Sequence, residues 1–399
     1  MTSKSAHKQK VAVIGAGILG LSVARQLAQK GAEVTIFERD YIGAGTSSTT
    51  FAWVNSNGKS PDSYHQLNAT AIDEHVELQR EGQVGAPWFH QTGTYEWATG
   101  SELQHRLNER TENLTTLGYP VEKLSRADVQ ARLPEIRIDP QADELWFFPT
   151  EAILYPSILL AKLWADAKSS GAVLRNHSDI VSLNETEHGV TLTLADGEQW
   201  TGDQVVLATG RWSRELMANI GLDLALIDAN KADRVACGFL AYTAPLPLQL
   251  DANLITPELN VRPDGGGRLL LQALDLDLYV NPSLLPSTDG FIAKEMLRRL
   301  RRIFANVDHA KIERIAIGQR ARPADGLPAM GYVTPDKRVY LMVTHSGMTL
   351  GPLLGRLCAE EIIDKTRSDL LADFAPDRLI GKKAEDFPQI SSVFYPSAQ

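Results

Sequence analysis

The stretch that most constrains how this 399-residue chain folds runs from Val11 to Glu38 and reads VAVIGAGILGLSVARQLAQKGAEVTIFE. Four apolar residues, Val11 to Ile14, suit a strand buried on both faces, and they lead straight into Gly15-Ala16-Gly17-Ile18-Leu19-Gly20. The order is strand, tight turn, helix. Gly15 permits the turn, Gly17 lets a pyrophosphate approach the backbone, and Gly20 lets the helix pack closely on the strand. The unpaired N–H groups and the dipole at the helix start, around Ile18 and Leu19, favour phosphate. The helix carries apolar residues at Leu21, Ala24, Leu27 and Ala28 and is expected to stop at Gly31. A second strand, Val34 to Phe37, then delivers Glu38, whose carboxylate accepts hydrogen bonds from ribose hydroxyls and repels a 2′-phosphate. Strand, helix, second strand and acid all fall at the required spacing, so the unit is expected to bind FAD or NAD and not NADP.

The length suggests about two domains. A formal charge of -9, with no long basic run, argues against a nucleic-acid partner. The densest basic patch, Leu297 to Arg302, is expected on the solvated side of a surface helix between Phe291 and Phe304. The first ten residues are polar, and no window approaches the roughly 20 apolar residues of a membrane span. A cytoplasmic protein is therefore expected, with peripheral membrane contact left open. Cys237 and Cys358 lie too far apart in sequence for a CxxC motif and form no disulfide framework. The nine histidines show no ligand spacing, so no metal site is expected.

Further along, Arg39 leads into Gly45-Thr46-Ser47-Ser48, where small and hydroxylated residues can run close to a ligand and donate to phosphate or to a flavin edge; a solvated loop is the alternative. Pro61 to Gln79 reads as a helix, ended between Gly82 and Gly85. Ile180 to Leu183 reads as a short strand, and Val205 to Ala208 as a buried one ending in Thr209 and Gly210, small enough to press against a dinucleotide. Val339 to Val343 is another buried strand. It leads through Thr344-His345-Ser346-Gly347-Met348-Thr349 into a helix ending near Ile363, which again aims backbone N–H groups at an anionic or electron-rich centre.

These segments stand in the order of the D-amino-acid oxidase and dehydrogenase, glycine oxidase and sarcosine oxidase family of FAD enzymes, which the chain resembles over nearly its whole length. So does Gly318-Gln319-Arg320-Ala321-Arg322-Pro323-Ala324-Asp325-Gly326-Leu327-Pro328. Gap-free alignment with the family's pattern puts the arginine that holds the substrate carboxylate at Arg320, while Arg322, outside the pattern, is the alternative anchor. The resemblance implies an α/β fold: a Rossmann-type FAD-binding domain of the GR2-like kind from 1–85, 150–227 and 309–399. A second, α+β substrate domain on a mixed or antiparallel sheet is expected from 86–149 and 228–308. It also implies oxidation of the C–N bond of an amino acid or N-alkylamino acid by hydride transfer to flavin N5, giving an imine that hydrolyses.

Under the same resemblance, the FAD contacts fall at Gly15, Gly17, Ile18, Leu19, Gly20, Glu38, Arg39, Gly45, Thr46, Ser47, Ser48, Ile180, Thr209, Gly210, Ser346, Gly347, Met348 and Thr349. Neither cysteine lies where sarcosine oxidases attach FAD, so the flavin is expected to be noncovalent. Thr49-Thr50-Phe51-Ala52-Trp53 departs from the small residues of many relatives and implies a narrower or more aromatic space near the flavin. The oxygen-activating lysine of sarcosine oxidases sits on a strand resembling Arg268 to Gln272, which has none. This favours a dehydrogenase using a quinone or another electron-transfer partner over an oxidase using oxygen. Two further readings stay open: a flavoprotein subunit without turnover of its own, and an enzyme for an amine lacking a carboxylate.

Overall fold

The computed structural model describes residues 8–82, 85–231 and 235–388. Most of the polar start and two residues of the expected Gly82 to Gly85 helix end lie outside them. The nucleus is a six-stranded sheet in the order β5-β6-β4-β1-β2-β3. Its strands are β1 (Lys10–Ile14), β2 (Glu33–Phe37), β3 (Val173–Arg175), β4 (Gln204–Leu207), β5 (Ala329–Tyr332) and β6 (Val339–Val343). All neighbours are parallel except β5 and β6. The apolar run of β1 is continuous because both faces are covered. Val11 and Val13 join one core cluster, and Ala12 and Ile14 join another on the opposite side.

Four helices matter for the site: α1 (Ile18–Gln29), α2 (Asp62–Arg80), α3 (Pro156–Ser169) and α4 (Gly347–Ala359). As expected, α1 stops at Gly31, which has φ +89°, and Ala32 N returns to Leu27 O at 3.0 Å. A proline opens α3, where its missing N–H costs nothing. The other face of the central sheet is covered in part by an antiparallel trio, Ile180–Thr186, Gly189–Leu194 and Gln199–Gly202.

A second sheet of eight strands carries its own core. Its order is Ile312–Gln319, Cys237–Thr243, Leu269–Gln272, Asn260–Pro263, Asn253–Ile255, Thr94–Trp97, Leu145–Phe148 and Glu122–Leu124. It is mixed, with one parallel pair between Asn253–Ile255 and Thr94–Trp97. One strand falls across the expected division. Ile312–Gln319 pairs with Cys237–Thr243 and so belongs to this sheet, although it lies past residue 308. The aromatic block Trp146 to Phe148, inside the expected 86–149 segment, belongs to this sheet, and Ala152–Leu154, past residue 150, pairs instead with Trp53–Val54.

The expected basic surface helix forms as Phe291–Ile303. One of its arginines is not solvated: Arg299 is buried and bonds Glu295 and both carboxylate oxygens of Asp275. No helix among the described residues is long and apolar enough to cross a membrane.

Helices α1 and α4 pack closely enough to exclude side chains between them. A Cβ on Gly355 would stand 2.6 Å from the backbone carbon of Ser22, and one on Gly351 would stand 2.5 Å from Ile18 Cγ1. Gly355→Ala must push the helices apart and should cost about 1–3 kcal/mol, read as a lower Tm than wild type. An unchanged Tm would mean that the two helices have slack.

Candidate functional site: two cavities that meet at a helix start

A cleft of about 390 Å³ opens on the six-stranded sheet at the start of α1. Of the residues expected to contact a dinucleotide, Gly15, Gly17, Ile18, Leu19, Glu38, Arg39, Gly45, Thr46, Ser47, Ile180, Thr209, Gly210, Gly347 and Met348 line it. Gly15 has φ +101°, and a Cβ there would meet Ala208 O at 2.6 Å, so side chains are excluded between the tips of β1 and β4. Gly20 lies behind the wall, where a Cβ would stand 1.8 Å from Gly15 O, as expected of a residue whose task is close packing.

Glu38 reaches back across the turn. Its Oε2 accepts from Ala16 N at 2.8 Å and its Oε1 from Asp40 N at 2.9 Å, leaving lone pairs for further donors.

The hydroxyl loop behaves differently from the expectation of three ligand donors. Ser47 Oγ accepts from Ile18 N at 3.0 Å and so caps α1 from 29 residues away. Ser47 also lines the cleft. Thr46 Oγ1 donates to Gln319 O, and Ser48 Oγ turns away to Gly43 O at 2.6 Å, outside the lining. A short loop folded over a glycine turn must satisfy backbone carbonyls first, and its nearest hydroxyls do so.

Sequence reading missed the aromatic wall at Trp212, which lines the cleft with the Arg39 guanidinium 4.5 Å and the Arg211 guanidinium 4.0 Å from its ring centre. Its position two residues past Gly210 was the only available signal. Ser178 and Asp179 were missed too; a bond from Ser178 N to Glu38 O at 2.9 Å brings that segment in.

A second cavity of about 120 Å³ lies alongside. Thr46, Thr50, His345 and Met348 line both, so the two spaces share a wall. Ser346 and Thr349, expected at the flavin, line the second cavity. It is also walled by Phe51, Trp53 and Leu240, in line with the expected aromatic narrowing, and by Asn55, Lys59, Gln272 and Arg320. Arg320 Nη1 donates to Val235 O at 3.2 Å, and the carboxyl of Asp277 lies near its guanidinium, both flanking Gly238. Burial pushes Asp277 up to about 7 against the opposing pull of Arg320. Arg322 is buried and outside the lining, although it acts electrostatically on Lys59 and Tyr64.

Lys59 enters from outside the strand that was compared. The strand Leu269–Gln272 indeed brings no lysine, but the turn before α2 brings Lys59 to the same cavity. A lysine at this cavity is thus supplied by a segment that the strand comparison never touched.

Behind the cavity, Trp53 Nε1 donates to Glu151 at 2.6 Å, and Tyr119 OH donates to the same carboxyl at 3.2 Å. Glu151 is fully buried, which raises its pKa to about 8.

The start of α4 is held by a residue that no motif marked. Pro352 has no N–H to offer the carbonyl of Met348, four residues earlier. His75 Nε2 fills that vacancy at 2.8 Å and also lies 3.1 Å from Thr349 O, so this nitrogen carries the proton. Burial lowers the His75 pKa to about 4 and keeps the ring neutral.

A glycine turn under a capped helix, the Glu38 carboxylate on the cleft wall and a second helix start at the far wall fit a flavin dinucleotide. The family model described as FAD dependent oxidoreductase (DAO) matches residues 10–361. The chain belongs to this family. Like other DAO proteins it is FAD-dependent. It is 24% identical to a glycine oxidase of Geobacillus kaustophilus over 383 residues, covering 94% of this chain and 98% of the relative. The crystal structure of glycine oxidase from that organism superposes with a TM-score of 0.80 at 22% identity, covering 94% of this chain and 100% of that one. L-proline dehydrogenase from P. horikoshii gives 0.78 at 19%, with 93% and 98% covered. The likeness of these structures is one of fold.

The neutral His75 makes the α4 bracing pH-dependent. Between its ordinary 6.5 and about 4, the unfolded chain takes up a proton that the folded protein refuses, so stability is full above 6.5 and falls on acidification. The shift corresponds to about 3 kcal/mol. His75→Gln, which keeps a donor without titrating, should remove a matching part of the acid slope of Tm; equal slopes in both proteins would refute a buried neutral imidazole.

Proposed function

We infer that this FAD-dependent oxidoreductase oxidises the C–N bond of an amino acid or N-alkylamino acid whose carboxylate sits on Arg320. The observation that carries the reading is the placement of Arg320 in a small cavity that shares a wall with the dinucleotide cleft. The names of the relatives, glycine oxidase and L-proline dehydrogenase, agree with an amino-acid substrate.

Bound FAD supplies a hydride acceptor. The work left to the protein is mainly alignment. The planar fork of Arg320 accepts a carboxylate through two parallel charge-assisted bonds and so fixes the direction of the Cα–H bond. Phe51, Trp53 and Leu240 keep water from the reacting carbon. As the hydride leaves Cα, the nitrogen lone pair forms the C=N bond and an amine proton passes to solvent. Water then adds to the released imine, giving an oxo acid and ammonia or an alkylamine. FAD is held without a covalent bond in this reading, since both cysteines are buried in the core clusters. Either oxygen or a quinone-type acceptor can take the electrons.

Arg320→Lys keeps the charge and loses the fork. It should lower kcat/KM by about 2–4 kcal/mol while FAD stays bound with an unchanged spectrum. Loss of FAD together with activity would make Arg320 a structural residue, and wild-type turnover in the variant would point to an amine without a carboxylate.

A further inference from the structure

Asn55 lies in the wall of the smaller cavity, 5% exposed, and its amide is only half used. Its Nδ2 donates to Trp53 O at 3.1 Å, which fixes the amide the way round that leaves Oδ1 as the remaining acceptor. This oxygen is buried and no donor meets it. An enclosed carbonyl oxygen without a donor is costly, so its place in the fold asks for a reason. The segment that carries it is held at two points: Trp53–Val54 pairs with Ala152–Leu154, and Trp53 Nε1 donates to the buried Glu151 at 2.6 Å. Residues two apart on an extended segment share a face, and Trp53 and Asn55 accordingly line the same cavity. Among the described side chains in that lining none is acidic, and the other amide oxygen, Gln272 Oε1, already receives Asn260 Nδ2 at 3.3 Å.

We propose that Asn55 Oδ1 accepts a hydrogen bond from the substrate nitrogen and so sets the direction of the reacting amine. The inference rests on the amino-acid reading above. An N–H given to an acceptor leaves the nitrogen lone pair free, whereas a donor placed against the nitrogen would occupy it. That lone pair must form the C=N bond as the hydride leaves Cα. Nitrogen gains positive charge in the same step, its N–H becomes a stronger donor, and the bond to Asn55 tightens in the transition state. One N–H proton of the resulting iminium then passes to solvent, which leaves the neutral imine. An uncharged amide suits this task, because a carboxylate in its place would hold the amine as ammonium, the form without a lone pair.

The test has two arms. In the first, FAD-loaded enzyme is mixed without oxygen with glycine and with both enantiomers of alanine, each bearing no, one or two N-methyl groups, and the rate of flavin bleaching is followed against concentration. The neutral amines of these series carry two, one and no N–H groups. Asn55→Ala should lower the limiting rate for the compounds that have an N–H by about 10-fold, the scale of one hydrogen bond that strengthens in the transition state, with a smaller change in KM. The N,N-dimethyl compounds should react at nearly the same rate in variant and wild type. Equal losses across the series overturn the proposal.

The second arm needs no turnover. α-Aminoisobutyrate, which has no Cα–H to give, and pivalate, in which a methyl group replaces the amine, are titrated against the same proteins, and the shift of the flavin absorption spectrum is read at equilibrium. The affinity of α-aminoisobutyrate relative to pivalate should fall by about 3- to 10-fold in Asn55→Ala, because only the former makes the bond. Asn55→Asp, which keeps an oxygen in place, should hold the wild-type ratio or raise it. An unchanged ratio in Asn55→Ala, or a ratio that falls equally in Asn55→Asp, overturns the proposal. If no amino acid bleaches the flavin while the ratio still falls in Asn55→Ala alone, the amino-oxidation reading fails and Asn55 stands as the acceptor for a bound amine.

Discussion

The crossing of α1 and α4 sets the geometry on which the site depends. Gly351 and Gly355 let the backbone of α4 lie against Ile18 and Ser22, so two helices from opposite ends of the chain present their N-termini to one cleft. The first N-terminus, capped at a distance by Ser47, suits phosphate. The second, at Gly347 and Met348, lies where the two cavities share a wall. Helix α2 braces it through Tyr64 OH, 2.7 Å from Ser346 Oγ, and through His75 on the carbonyl that Pro352 leaves open. The same helix begins just after Lys59, so one element both steadies the far wall of the cleft and sets the edge of the smaller cavity.

The electrostatics of the smaller cavity follow from what is buried around it. Arg320 and Arg322 are placed by an extended segment leaving the eight-stranded sheet, and the two end in different surroundings: one at the cavity, one in the interior. Asp277 and Glu151 are carboxyls held in low-dielectric surroundings, where the neutral form is favoured. Glu151 also accepts from Trp53, so this buried carboxyl positions an aromatic wall of the cavity.

The first 38 residues were readable because the dinucleotide turn is local: strand, glycine turn, helix and acid are adjacent in sequence and their physics is backbone physics. The second glycine-bearing helix start at Gly347 was readable for the same reason. Partners contributed across the fold were not. Ser47 reads as a ligand donor, yet its first bond is to Ile18 N. Lys59 sits in a Gly-Lys-Ser-Pro turn that looks like any solvated loop until the chain folds it to the cavity that Arg320 also lines. His75 is unremarkable on an amphipathic helix until Pro352 supplies its reason. The strand Ile312–Gln319 joins the second sheet because it pairs with Cys237–Thr243, a register that no local pattern encodes.

The most direct test of the account is the structure of the FAD-loaded protein with a bound carboxylate that it does not oxidise. The account predicts a dinucleotide running from Glu38 to the His345–Met348 wall, with a carboxylate on the fork of Arg320 in the adjoining cavity. A carboxylate seated elsewhere, with Arg320 turned to Asp277 alone, would contradict it.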